Sequence, residues 1–206
     1  MVSNLRFSSG SAPQSPTRRH NVTAYLRFSD PLAASPTLST KSRENSLMAI
    51  IIAVRTAQVE DAPSIAACLE SAFEAFRSEY TPTAFQDTVL TPEGVLKRML
   101  QMTVHVAVTL DGEIVGTLAA GMDGSEGHLR GMAVRPSWQG NAIAEELLSA
   151  AEDRLSAAGC VRVSLDTTLP LQRAIRFYQR NGFVASGKVR DFFGMPVYEY
   201  VKSLIP

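Results

Sequence analysis

Apolar and polar positions alternate in two distinct rhythms from Ile50 onward. Residues 50–56, with Ile50, Ile51, Ile52, Ala53 and Val54 at their head, predict a strand. Glu60, Asp61 and Pro63 suit a helix start. Ile65, Leu69, Ala72, Phe73 and Phe76 then recur at helical spacing to about residue 78. Residues 81–90 carry no clear period and read as loop. Thr91-Pro92-Glu93 opens a second helix, with Thr as cap and Pro at the first position, carrying Val95, Leu96, Met99 and Leu100. Residues 105–110 and 114–119 flank Asp111-Gly112 and predict a hairpin. Gly124 to Gly127 marks another turn, followed by a strand over 128–134. A helix over 141–158 presents Ile143, Leu147, Leu148, Ala151 and Leu155 on one face, and Gly159 ends it. A strand over 161–165, a short helix over 171–180 stopped by Asn181-Gly182, and strands over 183–189 and 197–201 complete the pattern. The order β–α–α–β–β–β–α–β–α–β–β predicts an α/β (α+β) domain over residues 48–206, and no internal repeat interrupts it.

Residues 1–47 break this pattern. They are rich in Ser, Thr and Pro and lack a sustained period, so they predict no packed element. Of the chain's 20 basic and 20 acidic residues, six and two fall here, which leaves 14 and 18 in residues 48–206. The remainder is mildly acidic and lacks the basic footprint of a nucleic-acid binder. The leader has no long apolar stretch and makes a poor secretory signal. Its Arg- and Ser-rich, acid-poor composition suits an organelle transit segment. A disordered leader, or a true start at Met48 beside the first strand, is the simpler reading. Cys68 and Cys160 stand far apart without metal-ligand spacing, which predicts free thiols, a reducing cytoplasmic setting and no metal. The run 48–54 is too short to span a bilayer, so no membrane partner is expected.

The candidate chemistry lies in two blocks, LRGMAVRPSWQGNAIAEELL (129–148) and AIRFYQRNGF (174–183). In the first, a strand runs through a tight turn into a helix. The first amides of a helix lack internal partners and sit at its positive end, so they can receive a pyrophosphate where side chains are small. For the turn alone, an ordinary strand-to-helix connection explains Gly140 equally well.

Together the blocks resemble the GNAT superfamily of acyl-CoA-dependent N-acetyltransferases, and the resemblance covers residues 48–206. It implies a mixed sheet of six to seven strands flanked by about four helices. It also implies transfer of an acetyl group from acetyl-CoA, as co-substrate, to a primary amine by direct attack. Gln139, Gly140, Asn141, Ala142, Ile143 and Ala144 would hold the pyrophosphate, and Met132, Ala133 and Val134 would pair with the pantetheine arm at a splayed, bulged strand. The family favours Gly at 142 and a base at 141. Ala142 is penalised if its φ is positive and harmless if its dihedrals are helical, so weakened CoA binding is expected. Tyr178 corresponds to the family's general acid; packing beside Phe177 and Phe183 is its structural alternative. Leu171 stands where many relatives carry Asn, with Thr167 or Thr168 as substitutes.

For the base, the resemblance points to His128, ahead of Glu126 and of a water-mediated route. A strand residue without chemical role is the alternative for His128. His20 and His105 read as incidental. Acceptor walls would come from Phe76, Glu79, Tyr80, Phe85, Asp87 and residues 191–198, compatible with a small amine or a peptide N-terminal amine. A homodimer is also compatible. The competing function is an acyl-CoA-binding sensor or partner module with little turnover. A dinucleotide oxidoreductase is disfavoured because no Gly-x-Gly-x-x-Gly follows the first strand.

Overall fold

The computed structural model describes residues 52–205, so the leader expectations and His20 fall outside the described residues. Within them the chain forms seven strands and five α-helices around one sheet of order β1-β2-β3-β4-β5-β7-β6. The strands are β1 (Ile52–Thr56), β2 (Thr103–Thr109), β3 (Ile114–Asp123), β4 (Glu126–Val134), β5 (Arg162–Thr167), β6 (Val184–Phe192) and β7 (Met195–Ser203). The helices are α1 (Ala62–Phe73), α2 (Pro82–Thr88), α3 (Pro92–Gln101), α4 (Ile143–Ala157) and α5 (Gln172–Arg180). Every ladder is antiparallel except β4 with β5. No helix among the described residues is long and apolar enough to cross a membrane.

The expected hairpin forms at Asp111-Gly112. Gly112 takes φ +88°, and its amide donates to the Thr109 carbonyl at 3.0 Å. The five apolar residues expected along α4 are the ones it buries. Each large aliphatic side chain among them contributes roughly 1.5–3 kcal/mol of burial. Gly116 on β3 lets α4 come close: a Cβ there would lie 2.9 Å from both Ile143 and Leu147.

Three expectations change. Residues 81–90 contain α2, capped by the Thr81 hydroxyl, which accepts the Ala84 amide at 3.3 Å. This helix buries only Ala84 and Phe85, too little to give a hydrophobic period. The helical pattern over 60–78 resolves into α1 flanked by two 3-10 segments, because Glu74–Glu79 tightens into 3-10 geometry. Leu100, counted on the apolar face of α3, points to solvent; Val95 is that helix's buried residue.

Two cores result, one on each face of the sheet. One packs α4 and α5, including Ile175, Phe177 and Tyr178, against the central strands. The other packs α1, α2 and α3 on the opposite face. Both cysteines are buried and unpaired.

Candidate active site

β4 carries two irregularities that create the site. Against β3, Thr117 pairs with Ala133 but Ala119 pairs with Arg130, so Gly131 and Met132 together oppose Leu118. This is a β-bulge, and Gly131 takes φ +65° in it. A Cβ at Gly131 would lie 2.5 Å from an Arg98 guanidinium nitrogen. Backbone conformation and space both call for glycine there.

On its other edge, β4 pairs with β5 only from Glu126–Arg162 through Leu129–Leu165. Beyond Leu129 the two strands part. A cleft of about 610 Å³ occupies the gap. It reaches both faces of the sheet, since Tyr178 and Ala174 on one side and Phe73, Tyr80 and Leu171 on the other all line it. Met132 borders the cleft, whereas the 139–144 turn stands apart from it and is largely open to solvent.

His128 and Tyr178 both line the cleft. His128 Nδ1 lies 3.0 Å from Ser164 Oγ, and that hydroxyl has the Gly127 carbonyl to donate to at 3.2 Å. The serine oxygen is therefore left to accept, which assigns the proton to Nδ1 and leaves Nε2 with its lone pair. Burial pulls the His128 pKa below its ordinary value, opposed by the Asp166 carboxylate and reinforced by Arg130 and Arg190. The ring is accordingly neutral near pH 7.

Tyr178 is buried, edge-on to Phe177 at 5.3 Å and to Phe183 at 5.5 Å. Its hydroxyl makes no hydrogen bond among the described residues. Burial alone pushes its pKa up, so it stays protonated. Glu126, in contrast, is ion-paired with Arg162 at 2.7 Å and does not line the cleft. His105 sits buried in β2, also away from it.

The turn after β4 uses two left-handed residues, Gly140 at φ +88° and Ala142 at φ +56°. Ala142 is the N-cap of α4 and makes no side-chain cap hydrogen bond to the first amides of the helix. Its positive φ costs about 1 kcal/mol relative to glycine. Gln139 is anchored internally: its amide donates to the Val134 carbonyl at 3.1 Å, and its side-chain oxygen accepts from Arg173 at 2.6 Å. No motif or spacing in the sequence marks Arg173. It lies 34 positions from Gln139, and only the fold brings α5 beside the turn. It places there the positive charge that Asn141 lacks. The Asn141 side chain instead donates to the Trp138 carbonyl at 3.1 Å.

Of the two threonines near Leu171, Thr168 meets the Tyr80 hydroxyl at 3.1 Å, while the Thr167 hydroxyl is buried without a partner among the described residues. Among the expected acceptor-wall residues, Tyr80, Asp87, Asp191, Phe192, Phe193 and Val197 line the cleft. Phe76, Glu79 and Phe85 do not. Arg98, Arg130, Asp166 and Arg190 line it too, and none stood out in the sequence. Arg130 pairs with Asp87 at 2.8 Å. Arg190 bridges Asp166 at 3.2 Å and Glu199 at 2.8 Å.

Comparison with solved structures finds the same fold in several acetyltransferases. The fold is similar to that of the PaiA N-acetyltransferase of Thermoplasma acidophilum, solved in complex with coenzyme A, with TM-score 0.62 and 18% identity over 74% of this chain and 98% of that one. It is similar to the ribosomal-protein-S18-alanine N-acetyltransferase of Escherichia coli, with TM-score 0.61 and 14% identity over 74% and 94%. A GNAT-family acetyltransferase of Streptococcus pneumoniae matches with TM-score 0.58 and 23% identity over 74% and 98%. At these identities the likeness is one of fold. The family model "Acetyltransferase (GNAT) family" matches residues 65–183, which is more than half the chain and includes both sequence blocks. On that match, the chain belongs to the GNAT acetyltransferase family.

Proposed function

We propose that the protein transfers an acetyl group from acetyl-CoA to a primary amine by direct attack. The observation that carries this reading is the meeting of Tyr178 and His128 at one cleft, where β4 parts from β5 beside the bulge. The amine nitrogen attacks the thioester carbonyl carbon, forming an N–C bond as the C–S bond breaks. His128 Nε2 takes the proton the amine must lose. A backbone N–H at the bulge, around Met132, faces the developing oxyanion. Tyr178 donates a hydrogen bond, and ultimately its proton, to the departing sulfur. The buried hydroxyl is protonated at neutral pH and so is able to donate that hydrogen bond. The α4 N-terminus, with residues 139–144 and Arg173 beside them, receives the pyrophosphate. No covalent enzyme intermediate is involved: Cys68 and Cys160 are buried and neither lines the cleft.

One observation favours a second reading, an acyl-CoA-binding module with little turnover. Ala142 holds a strained left-handed position that glycine would occupy without strain, and this weakens the cradle. Two measurements separate the readings. Thermal shifts with acetyl-CoA, CoA and NAD side by side should show stabilisation by the CoA species alone; no shift with any of them counts against both. Acetyl-CoA consumption across an amine panel then decides, since binding without turnover on any acceptor leaves the module standing.

A further inference from the structure

Most charged groups of the cleft are matched; among the described residues Arg98 and Asp191 are the two in no ion pair. Arg130 is answered by Asp87, and Arg190 by Asp166 and Glu199. Arg98, in the last turn of α3, reaches over Gly131 at the bulge and lines the same cleft. It has no hydrogen bond or ion pair among the described residues. Burial, and after it the neighbouring Arg130 charge, push its pKa down to about 10, with Asp87 opposing. It is still a cation at neutral pH. Two guanidinium groups therefore repel each other across this part of the cleft, with one carboxylate between them.

Arg98 is half-buried, and a partly desolvated cation that makes no hydrogen bond or ion pair gains most when an anion joins it. The position is informative as well. Arg98 stands on the α1–α3 side of the sheet, over the bulge where the thioester would react, and away from the 139–144 turn. An anion bound there belongs to the acceptor and not to the CoA phosphates. Asp191, an exposed residue, also lines the cleft; among the described residues its carboxylate accepts a turn amide, from Gly194 at 3.2 Å, and makes no ion pair. The unmatched charges are thus one cation and one anion, the complement of a molecule bearing both an ammonium and a carboxylate.

Resting on the acyl-transfer reading above, we infer that the acceptor is an amine that also carries a carboxylate, as free amino acids do, and that Arg98 is the residue that binds the carboxylate. Guanidinium recognises carboxylate in a planar, two-point geometry that an ammonium does not reproduce. Charge-assisted hydrogen bonds of this kind correspond to about ten- to a hundredfold in specificity.

The test pairs acceptors that differ only at the carboxylate, such as phenylalanine against phenylalaninamide and leucine against leucinamide, together with ω-amino acids of increasing length. In the wild type, kcat/KM for at least one acid should exceed that of its amide by about tenfold or more. Arg98→Met should bring the ratio close to one, and Arg98→Lys should restore part of it. Equal rates on acids and amides in the wild type overturn the inference, as does a loss in Arg98→Met that is uniform across the panel. A binding arm stands apart from turnover: calorimetry of N-acetylphenylalanine against its amide, with CoA present. Arg98-dependent preference for the acid without turnover of any amine upholds carboxylate binding by Arg98 and defeats acetyl transfer. Absence of that preference, with turnover intact, does the reverse.

Discussion

The turn at 139–144 and the cleft at the β4–β5 parting sit at opposite ends of the same problem and are built from different chemistry. The turn works through the backbone. Two positive φ values and a helix N-terminus aim amides outward, and the side chains there are small or tied down, as Gln139 and Asn141 are. The cleft works through side chains: a neutral imidazole, a buried phenol and a set of paired and unpaired charges. The turn should therefore be sensitive to what changes φ and indifferent to much else. The cleft should respond to single functional groups while its backbone stays put.

Removing a functional group from the cleft gives the largest expected effects. Tyr178→Phe should lower turnover by about 10²-fold or more, the scale of a lost general acid, with little change in melting temperature because the hydroxyl has no protein partner among the described residues. Unchanged turnover would return Tyr178 to the role of a packing aromatic. His128→Gln should cost a similar ~10²-fold and should also change the pH profile. The wild-type rate should fall as pH drops through the His128 pKa, which burial holds below about 6.5. In the variant that acid limb should vanish. A limb that persists assigns the titration elsewhere.

Backbone changes come next. Gly131→Ala sets a Cβ against Arg98 and holds a positive φ, so it should cost about 1–2 kcal/mol in denaturant unfolding and raise KM for acetyl-CoA. Unaltered stability and KM would remove the bulge from the donor-side geometry. A smaller effect is the one most specific to the turn. Ala142→Gly should relieve about 1 kcal/mol of strain, partly offset by unfolded-state entropy, and tighten CoA binding a few-fold by calorimetry. A weaker complex would mean that the methyl group helps rather than hinders. Glu126→Gln, at an exposed ion pair, should leave turnover within about twofold of wild type.

How much of this was legible follows the same division. Hydrophobic period located every strand to within a few residues and named the buried face of α4 residue for residue, because burial is written directly into side-chain type. The same Thr-Pro signature opens α2 and α3, yet only α3 also carries a helical period; α2 is seven residues long and buries too few of them to show one. The bulge left no trace beyond a glycine in a strand. Arg98 over Gly131 and Arg173 beside Gln139 were out of reach, since both depend on contacts between segments more than thirty positions apart. Tyr178 and His128 could be singled out by resemblance. That Ser164 sets the His128 tautomer could not, because it required the parallel pairing of two strands 36 positions apart.

That pairing has a mechanical consequence. Strands β1–β4 and strands β5–β7 are separate antiparallel stacks, and the sheet joins them through four residue pairs, from Glu126–Arg162 to Leu129–Leu165. The His128–Ser164 contact is itself one of the cross-links of this short seam. A fluctuation that unzips the seam from the cleft end breaks the imidazole's anchor almost at once. Amide hydrogen exchange along residues 126–129 would then report the same event that disarms the base, and a ligand wedged between the two stacks would slow both together.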